Sequence, residues 1–257
     1  YIRQQIVRLK RLGKIRTSET YTAALKSFSS FMKGSDILFG ELSSDLLMEY
    51  EAYLKNRGNS PNTISFYMRI LKAVYNRAVE KGLTPQRHPF RNVYTGMEKT
   101  VKRAIPFEAV RKIKELDLSL KPALDFARDM FLFSFYTRGM SFVDMAYLKK
   151  SDLKNGMLSY RRKKTGQQLH IRWERCMQEI VEKHPNTTTE YLLPVITDPA
   201  GSDRKQYENA LHLVNRKLKK VAEMAGLSVT LTMYVARHAW ASTAKCKNIP
   251  LSVISEG

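Results

Sequence analysis

The sequence is poor in cysteine and in long apolar segments. Its 257 residues include only Cys176 and Cys246, which have neither metal-ligand spacing nor the density of a disulfide scaffold. No run is long and apolar enough to cross a bilayer, and the basic start YIRQQIVRLKRLGKIR lacks the apolar core of a signal peptide. These absences favour a reducing cytoplasm, and the lack of an initial Met predicts that further residues precede Tyr1.

Acidic side chains are also in short supply. Forty-four Lys and Arg residues face 24 Asp and Glu residues, which leaves a formal net charge of +20 at pH 7. The excess is spread along the chain, with 17 basic and 8 acidic residues in positions 1–100 and 27 and 16 in the rest. A polyanionic partner, nucleic acid first of all, is therefore expected, and it can contact both halves of the chain.

The first hundred residues show helical periodicity. In TSETYTAALKSFSSFMK, residues 17–33, apolar residues recur at helical spacing behind a predicted cap at Thr17 or Ser18. SSDLLMEYEAYLKNRG and SPNTISFYMRILKAVYNRAVEKG each start with capping residues and end at a glycine. These patterns predict a small helical bundle.

A segment without periodicity follows this bundle. Residues 84–106, TPQRHPFRNVYTGMEKTVKRAIP, are rich in Pro and basic side chains. Such a composition is typical of a linker that crosses a charged surface. We therefore predict a domain boundary near residue 100.

The second half combines helices with a little sheet. PFEAVRKIKEL, PALDFARDMFLFSFY, YENALHLVNRKLKKVAEMAG and TMYVARHAWASTAK are predicted helices. GMLSYRRKKTGQQLHIRW alternates apolar and polar residues on both sides of residues 164–167, which predicts a β-hairpin with a basic turn. The predicted fold class is mainly α with a small β-hairpin or sheet.

Three features occur in a characteristic order: Arg138 at a helix-to-helix turn, the triplet KTG at the hairpin tip, and a late helix that reads TMYVARHAWAST. In this order the sequence resembles the tyrosine recombinases, the phage-integrase-like site-specific recombinases. KTG matches the hairpin lysine of that family, and ARHAWAS matches its LRHTFAT-like segment. The resemblance implies a helical core-binding, DNA-binding domain over residues 1–100 and an α+β catalytic domain over residues 101–257, which together clamp duplex DNA.

The resemblance also implies a chemistry. In this family a tyrosine hydroxyl attacks a DNA phosphodiester and leaves a 3′-phosphotyrosine and a free 5′-hydroxyl. Two arginines stabilise the charge of the transition state, and the hairpin lysine protonates the departing 5′-oxygen. No metal, cofactor or ATP is expected, and the implied partners are double-stranded DNA and further copies of the chain in a homo-tetramer on paired DNA sites.

Two residues match the family motifs directly. Arg237 corresponds to the second arginine, and Lys164 corresponds to the hairpin lysine, although Lys163 beside it leaves the choice of lysine open. The alternative for Arg237 is a surface arginine on an amphipathic helix. For Lys164 the alternative is a solvated turn residue.

The first family arginine has no direct counterpart. Its place, three residues before Asp144, is taken by Ser141, which we interpret as the N-cap of the next helix with Asp144 completing a capping box. Arg138 lies three residues earlier, where Gly139 ends the preceding helix. Arg138 is therefore the candidate replacement, and the alternative is an arginine that caps the carbonyls of its own helix.

Tyr234 is a second departure from the family pattern. It lies three residues before Arg237, on the same helical face, where the family more often has His. A phenol is a poor proton acceptor at neutral pH but can hydrogen-bond a phosphate oxygen, and the alternative is that Tyr234 is the nucleophile itself. The resemblance gives His238 an orienting or packing role.

These features predict a site-specific DNA recombinase or integrase that cuts and rejoins duplex DNA through a 3′-phosphotyrosine intermediate, in association with the bacterial nucleoid. A type IB topoisomerase-like enzyme and a non-catalytic DNA-binding relative are the alternatives. The family nucleophile follows a turn of the LGH type, and the sequence ends with IPLSVISEG, where that turn would begin. We therefore expect the catalytic domain to be truncated before its nucleophile, with the nucleophilic tyrosine beyond Gly257. The 257-residue chain is then expected to bind DNA but to form no phosphotyrosine bond.

Overall fold

The computed structural model describes residues 1–100 and 104–256. The chain divides into two compact units, Tyr1–Thr100, here called unit 1, and Val101–Gly257, here called unit 2. Within the described residues, each helix is too short or too polar to span a lipid bilayer. The fold class is the predicted one, mostly helical with one small antiparallel sheet.

Unit 1 is built from helices, and the three predicted segments are confirmed. Ser43 and Ser60 cap their helices, because the hydroxyl of each accepts a hydrogen bond from the backbone N–H three residues later. A further amphipathic helix at the start of the chain was not predicted; it buries Ile6 and Leu9 and leaves its basic side chains exposed. The helices of unit 1 are α1 (Ile2–Arg11), α2 (Ile15–Phe31), α3 (Ser44–Asn56) and α4 (Pro61–Glu80).

The predicted cap of α2 is wrong. The helix begins at Ile15, after Lys14, so Thr17 and Ser18 lie inside its first turn. Ser18 is buried, and its hydroxyl donates to the carbonyl of Ile15 at 2.7 Å. A serine that bonds to the backbone inside a helix looks the same in sequence as one that caps it.

The prediction of a linker over residues 84–106 is wrong for the first part of that segment. Phe90 and Val93 are buried against Tyr75 in the core of unit 1. Asn62 clamps this segment, because its side chain donates to the carbonyl of Glu98 at 3.1 Å and accepts from the Glu98 N–H at 2.9 Å. The segment is therefore an irregular covering of unit 1, and residues 101–103 of the predicted linker lie outside the described residues.

Unit 2 contains the predicted helices and the predicted hairpin. Strands β2 and β3 pair antiparallel, with Arg161 opposite Gln168 beside the turn, and a short strand β1 adds a third member that was not predicted. The elements of unit 2 are α5 (Phe107–Glu115), α6 (Pro122–Tyr136), α7 (Phe142–Ala146), β1 (Leu153–Lys154), β2 (Met157–Arg161), β3 (Gln168–Arg172), α8 (Arg175–Lys183), α9 (Asp203–Met224), α10 (Met233–Cys246) and α11 (Leu251–Glu256).

Helix α6 is the centre of unit 2. Nearly all of its residues from Asp125 onward are buried, and it packs against α5, α8, α9 and α10. One face of α9 contributes Val214, Leu218 and Val221 to the core, each at most 1% exposed. Burial of this long apolar stretch supplies most of the driving force for folding of the unit.

The polar residues of α6 form an ion-pair network with α8. Arg128 pairs with Asp125 and, at 2.8 Å, with Asp129. The other oxygen of Asp129 contacts the Lys183 ammonium and the His184 ring, each at 2.8 Å. Burial alone would raise the pKa of the Asp129 carboxyl, but hydrogen bonds from His184, Lys183 and Arg128 outweigh it and lower this pKa to about 2.

This lowered pKa predicts acid-dependent stability of unit 2. A carboxyl whose pKa falls on folding stabilises the protein above its unfolded value, near 4, and loses that contribution as the pH falls towards 2. The shift corresponds to about 2 kcal/mol. Denaturant unfolding followed by tryptophan fluorescence reports on unit 2 alone, because both tryptophans, Trp173 and Trp240, belong to it.

In this assay we expect Asp129→Asn to lower the free energy of unfolding at pH 7 by about 2 kcal/mol and to flatten its decline between pH 4 and 2. Glu182→Gln, an exposed substitution on α8, is the control and should leave both quantities unchanged. A decline as steep in Asp129→Asn as in the unaltered chain would contradict the assignment.

Candidate active site

Helix α6 ends in a turn with two residues of left-handed backbone conformation. Arg138 has φ 60° and Gly139 has φ 73°. The amide of Gly139 donates to the carbonyl of Ser134 at 2.7 Å, which closes a Schellman motif. Glycine normally takes the position that Arg138 occupies, and a side chain there costs roughly 1–2 kcal/mol. The turn therefore keeps an arginine at the expense of stability.

The Arg138 side chain does not cap its own helix. The carbonyl of Phe133 accepts a hydrogen bond from the Thr137 hydroxyl at 2.6 Å, and the carbonyl of Ser134 accepts from Gly139. Arg138 is exposed, and its guanidinium has no hydrogen bond or ion pair among the described residues. The capping alternative raised by the sequence is therefore wrong, and the guanidinium remains available for another group.

The same turn packs against helix α10 at Arg237. A Cβ atom on Gly139 would lie 2.7 Å from the Arg237 Cα, so the close approach of the two backbones requires glycine. Arg237 Nη1 donates to the Gly139 carbonyl at 3.1 Å across 98 residues of sequence. This contact brings the Arg138 turn and the Arg237 helix together and orients the Arg237 guanidinium.

Arg237 lies in a half-buried position with other charges around it. Burial lowers the pKa of its guanidinium, and the positive charge of Arg162 lowers it further, whereas Tyr160, Tyr234 and Asp144 oppose the effect. The shift does not deprotonate an arginine at neutral pH. It indicates that two guanidinium groups, Arg162 and Arg237, lie near one another in partly desolvated surroundings.

The buried Tyr160 hydroxyl reports on the same surroundings. Burial, aided by the negative charge of Asp144, raises the pKa of Tyr160 to about 12. The positive charges of Arg162, Arg237 and Arg138 act in the opposite direction. Three guanidinium groups from a turn, a hairpin and a helix therefore lie close enough to act on one hydroxyl.

Tyr234 and His238 lie one turn apart on α10. Their rings are 4.5 Å apart in an edge-to-face arrangement. Tyr234 is 66% exposed and His238 is half-buried. The histidine therefore supports the tyrosine ring. The Tyr234 side chain is accessible from solvent and interacts electrostatically with the Arg237 guanidinium.

Ser141 begins α7 as the sequence predicted. Its hydroxyl accepts from the Asp144 N–H at 3.4 Å and donates to the Asp144 carboxylate at 2.6 Å. The predicted capping box is therefore wrong in its second bond, since the Asp144 carboxylate accepts from the Ser141 hydroxyl and not from the Ser141 N–H. The other Asp144 oxygen accepts from the backbone N–H of Lys163 at 2.9 Å, which fixes the hairpin to the start of α7.

The two adjacent hairpin lysines differ in their surroundings. The Lys163 ammonium lies 3.2 Å from the centre of the Tyr147 ring, a cation–π contact that holds it against α7. Lys164 is exposed in the turn, and within the described residues its side chain has no hydrogen bond or ion pair. Lys164 is thus the mobile ammonium of the pair.

The structure brings part of the predicted set together. Arg237 contacts the Arg138 turn, and Tyr234 and His238 lie on the same helix as Arg237. Lys164 is connected to this region only through the residue before it, Lys163, whose N–H donates to Asp144. Sequence reasoning missed Arg162. The signal was present, since Arg162 follows Tyr160 by two residues in an alternating strand and so shares its face.

One further cluster has ligand-type side chains. Asp125, Asp129 and His184 place their oxygen and nitrogen atoms within 4.8 Å of one another. Arg128 and Lys183 already pair with both carboxylates. The cluster therefore acts as an ion-pair network between α6 and α8, and its charge is compensated without a metal ion.

Comparison with known proteins bears on unit 1 and on the fold. The phage integrase SAM-like domain family matches residues 1–95. A search of curated protein sequences gave no significant match. Several solved structures resemble the chain over most of its length, at sequence identities that show the fold alone.

Three of these structures are integrases or recombinases bound to DNA. A lambda integrase dimer bound to a COC′ core site has a TM-score of 0.66 at 18% identity, over 96% of this chain and 91% of that one. XerH site-specific recombinase bound to difH substrate has a TM-score of 0.67 at 15% identity, over 94% and 72%. The Tn1549 transposon integrase in complex with transposon right end DNA has a TM-score of 0.69 at 14% identity, over 99% and 90%.

These likenesses agree with the resemblance that the motifs indicated. The matched domain lies wholly within unit 1, and the solved structures extend the likeness through unit 2. Residues 1–95 therefore match the phage integrase SAM-like domain family, and the chain has the fold of these DNA-bound integrases and recombinases.

Proposed function

We propose that the chain is a site-specific DNA recombinase of the integrase type, which cuts and rejoins duplex DNA through a 3′-phosphotyrosine intermediate. The observation that carries the proposal is the contact between the Arg138–Gly139 turn and Arg237. It supports the proposal because it joins the turn that carries the exposed Arg138 to the half-buried Arg237, which lies in a distant part of the sequence. Guanidinium groups bind phosphate through fork-shaped donors and stabilise the charge that builds up during phosphoryl transfer.

Each proposed catalytic side chain has a role that suits its surroundings. Arg138 and Arg237 bind the oxygens of the scissile phosphate, and Tyr234 donates a hydrogen bond to one of them. His238 supports the Tyr234 ring. Lys164 gives a proton to the 5′-oxygen as its bond to phosphorus breaks, a task for which a mobile ammonium in a turn is well suited.

Double-stranded DNA is the proposed partner of both units. The net charge of +20 is shared between them, and the solved structures of similar fold hold DNA, including a lambda integrase tetramer bound to a Holliday junction. Assembly as a homo-tetramer on paired sites distinguishes this proposal from a topoisomerase-like monomer. Cleavage of DNA distinguishes it from a non-catalytic relative.

Duplex binding should depend steeply on salt. A duplex is first selected from a random-sequence library by affinity for the chain, and its dissociation constant is then measured by fluorescence anisotropy. With six or more phosphate contacts, affinity should fall at least about 10³-fold between 50 and 200 mM salt. Arg237→Ala should weaken binding only about 10-fold but abolish cleavage measured with hydroperoxide as the attacking nucleophile, and cleavage at the normal rate would remove Arg237 from the site.

Replacement of Arg138, the strained arginine, should stabilise the protein and reduce DNA cleavage. We expect Arg138→Gly to raise the free energy of unfolding of unit 2 by up to about 1 kcal/mol, because glycine adopts φ 60° without strain. Cleavage of the selected duplex, measured with hydroperoxide as the attacking nucleophile, should fall about 100-fold. Arg138→Asn, which tolerates the same backbone and also lacks the charge, should lose cleavage equally. Full activity in both variants would exclude Arg138 from the site.

The roles of Lys163 and Lys164 can be distinguished by changing the leaving group of the cleavage reaction. Cleavage is measured with hydroperoxide as the nucleophile, so that the readout does not depend on the attacking residue. Lys164→Ala should slow cleavage of ordinary DNA about 100-fold but leave a duplex with a 5′-bridging sulfur almost unaffected, because a thiolate departs without a proton. Lys163→Ala is the matched control and should retain most activity on both duplexes. Rescue by sulfur in Lys163→Ala instead would reverse the assignment.

A further inference from the structure

Arg162 lies just beyond strand β2 on the side of the hairpin that faces the core. Leu158 and Tyr160 on this side are buried, whereas Arg161 points away and donates to the carbonyl of Gly166 at 2.8 Å. The antiparallel pairing continues past the strand, since the Arg162 N–H donates to the Gln167 carbonyl at 2.9 Å. Alternation therefore turns Arg162 inward, and it is half-buried while Arg161 is exposed.

Arg162 faces another positive charge. The Lys163 N–H beside it donates to Asp144 at 2.9 Å, Asp144 bonds to Ser141, and the Gly139 carbonyl two residues before Ser141 accepts from Arg237. Arg162 therefore lies where the hairpin is fixed next to the Arg237 contact, and its charge acts on the Arg237 guanidinium and on the Tyr160 hydroxyl. The guanidinium of Arg162 has no hydrogen bond and no ion pair among the described residues. The carboxylate of this region, Asp144, is already bonded to the Ser141 hydroxyl and the Lys163 N–H.

Two half-buried guanidinium groups that form no ion pair among the described residues are unfavourable in isolation. Each loses part of its hydration, and the two repel one another. An anion that accepts hydrogen bonds from both would remove the repulsion and satisfy the donors. The arrangement thus has the positive charge and the unpaired donors that an oxyanion site requires.

We infer that Arg162 and Arg237 bind the same DNA phosphate, so that Arg162 is a further catalytic arginine of the site. The inference rests on the proposed function. It adds a guanidinium from the hairpin to Arg138 and Arg237 in a site where Ser141 stands in the place of the first family arginine. The neighbours of Arg162 cannot take this role, since Arg161 points to the opposite face and Lys163 is held on the Tyr147 ring.

A thermodynamic cycle between side chain and phosphate tests the inference. The probes are copies of the selected duplex that each carry one neutral methylphosphonate in place of a phosphate. Arg162→Gln and Arg237→Gln should each weaken binding of ordinary duplex about 10-fold. At one phosphate position, the same for both variants, the methylphosphonate should cause no further loss of affinity in either variant. The interaction between that phosphate charge and the arginine is already removed by the substitution.

Arg172→Gln is the matched control, since it removes the same charge from an exposed position at the far end of the hairpin. Arg172→Gln should show no coupling to that phosphate. Denaturant unfolding followed by tryptophan fluorescence should show that Arg162→Gln is as stable as this control. Coupling of Arg162 to a different phosphate than Arg237, or to none, would overturn the inference while the proposed function stands. Failure of the unaltered chain to bind any duplex would overturn the proposed function, and this inference with it.

Discussion

The contact between Gly139 and Arg237 is the constraint on which the candidate site depends. The two residues are 98 positions apart, and their backbones approach so closely that a single added methyl group would lie 2.7 Å from the Arg237 Cα. The carbonyl of Gly139 then accepts a hydrogen bond from the Arg237 guanidinium. One glycine therefore sets both the distance between the α6 turn and α10 and the direction of an arginine.

Asp144 performs the corresponding task for the hairpin. Its two oxygens bond to the Ser141 hydroxyl and to the Lys163 N–H, so a buried carboxylate joins the start of α7 to the residue before the turn. This anchor decides which lysine is mobile. Lys163 is fixed at its backbone and over the Tyr147 ring, and Lys164, one residue further, extends from the turn into solvent.

The site retains features that lower the stability of the free protein. Arg138 occupies a backbone conformation that suits glycine, and neither Arg162 nor Arg237 forms an ion pair among the described residues. In the same unit, Arg128 is fully paired with carboxylates in the network between α6 and α8. The contrast separates two uses of buried charge: compensated charge that joins helices, and uncompensated charge that is suited to bind an anion.

The sequence by itself determined the helices, the hairpin and the basic character, because these follow from local periodicity, turn residues and composition. It also singled out Arg237, whose segment matches a family motif. The predictions for the cap of α2 and for the residues near Phe90 were wrong, because the role of a hydroxyl or an aromatic side chain depends on what it packs against. Only the tertiary structure decided the role of Gly139, the difference between the two lysines and the position of Arg162. These depend on contacts between segments that are far apart in the chain, and no local pattern carries information about such distances.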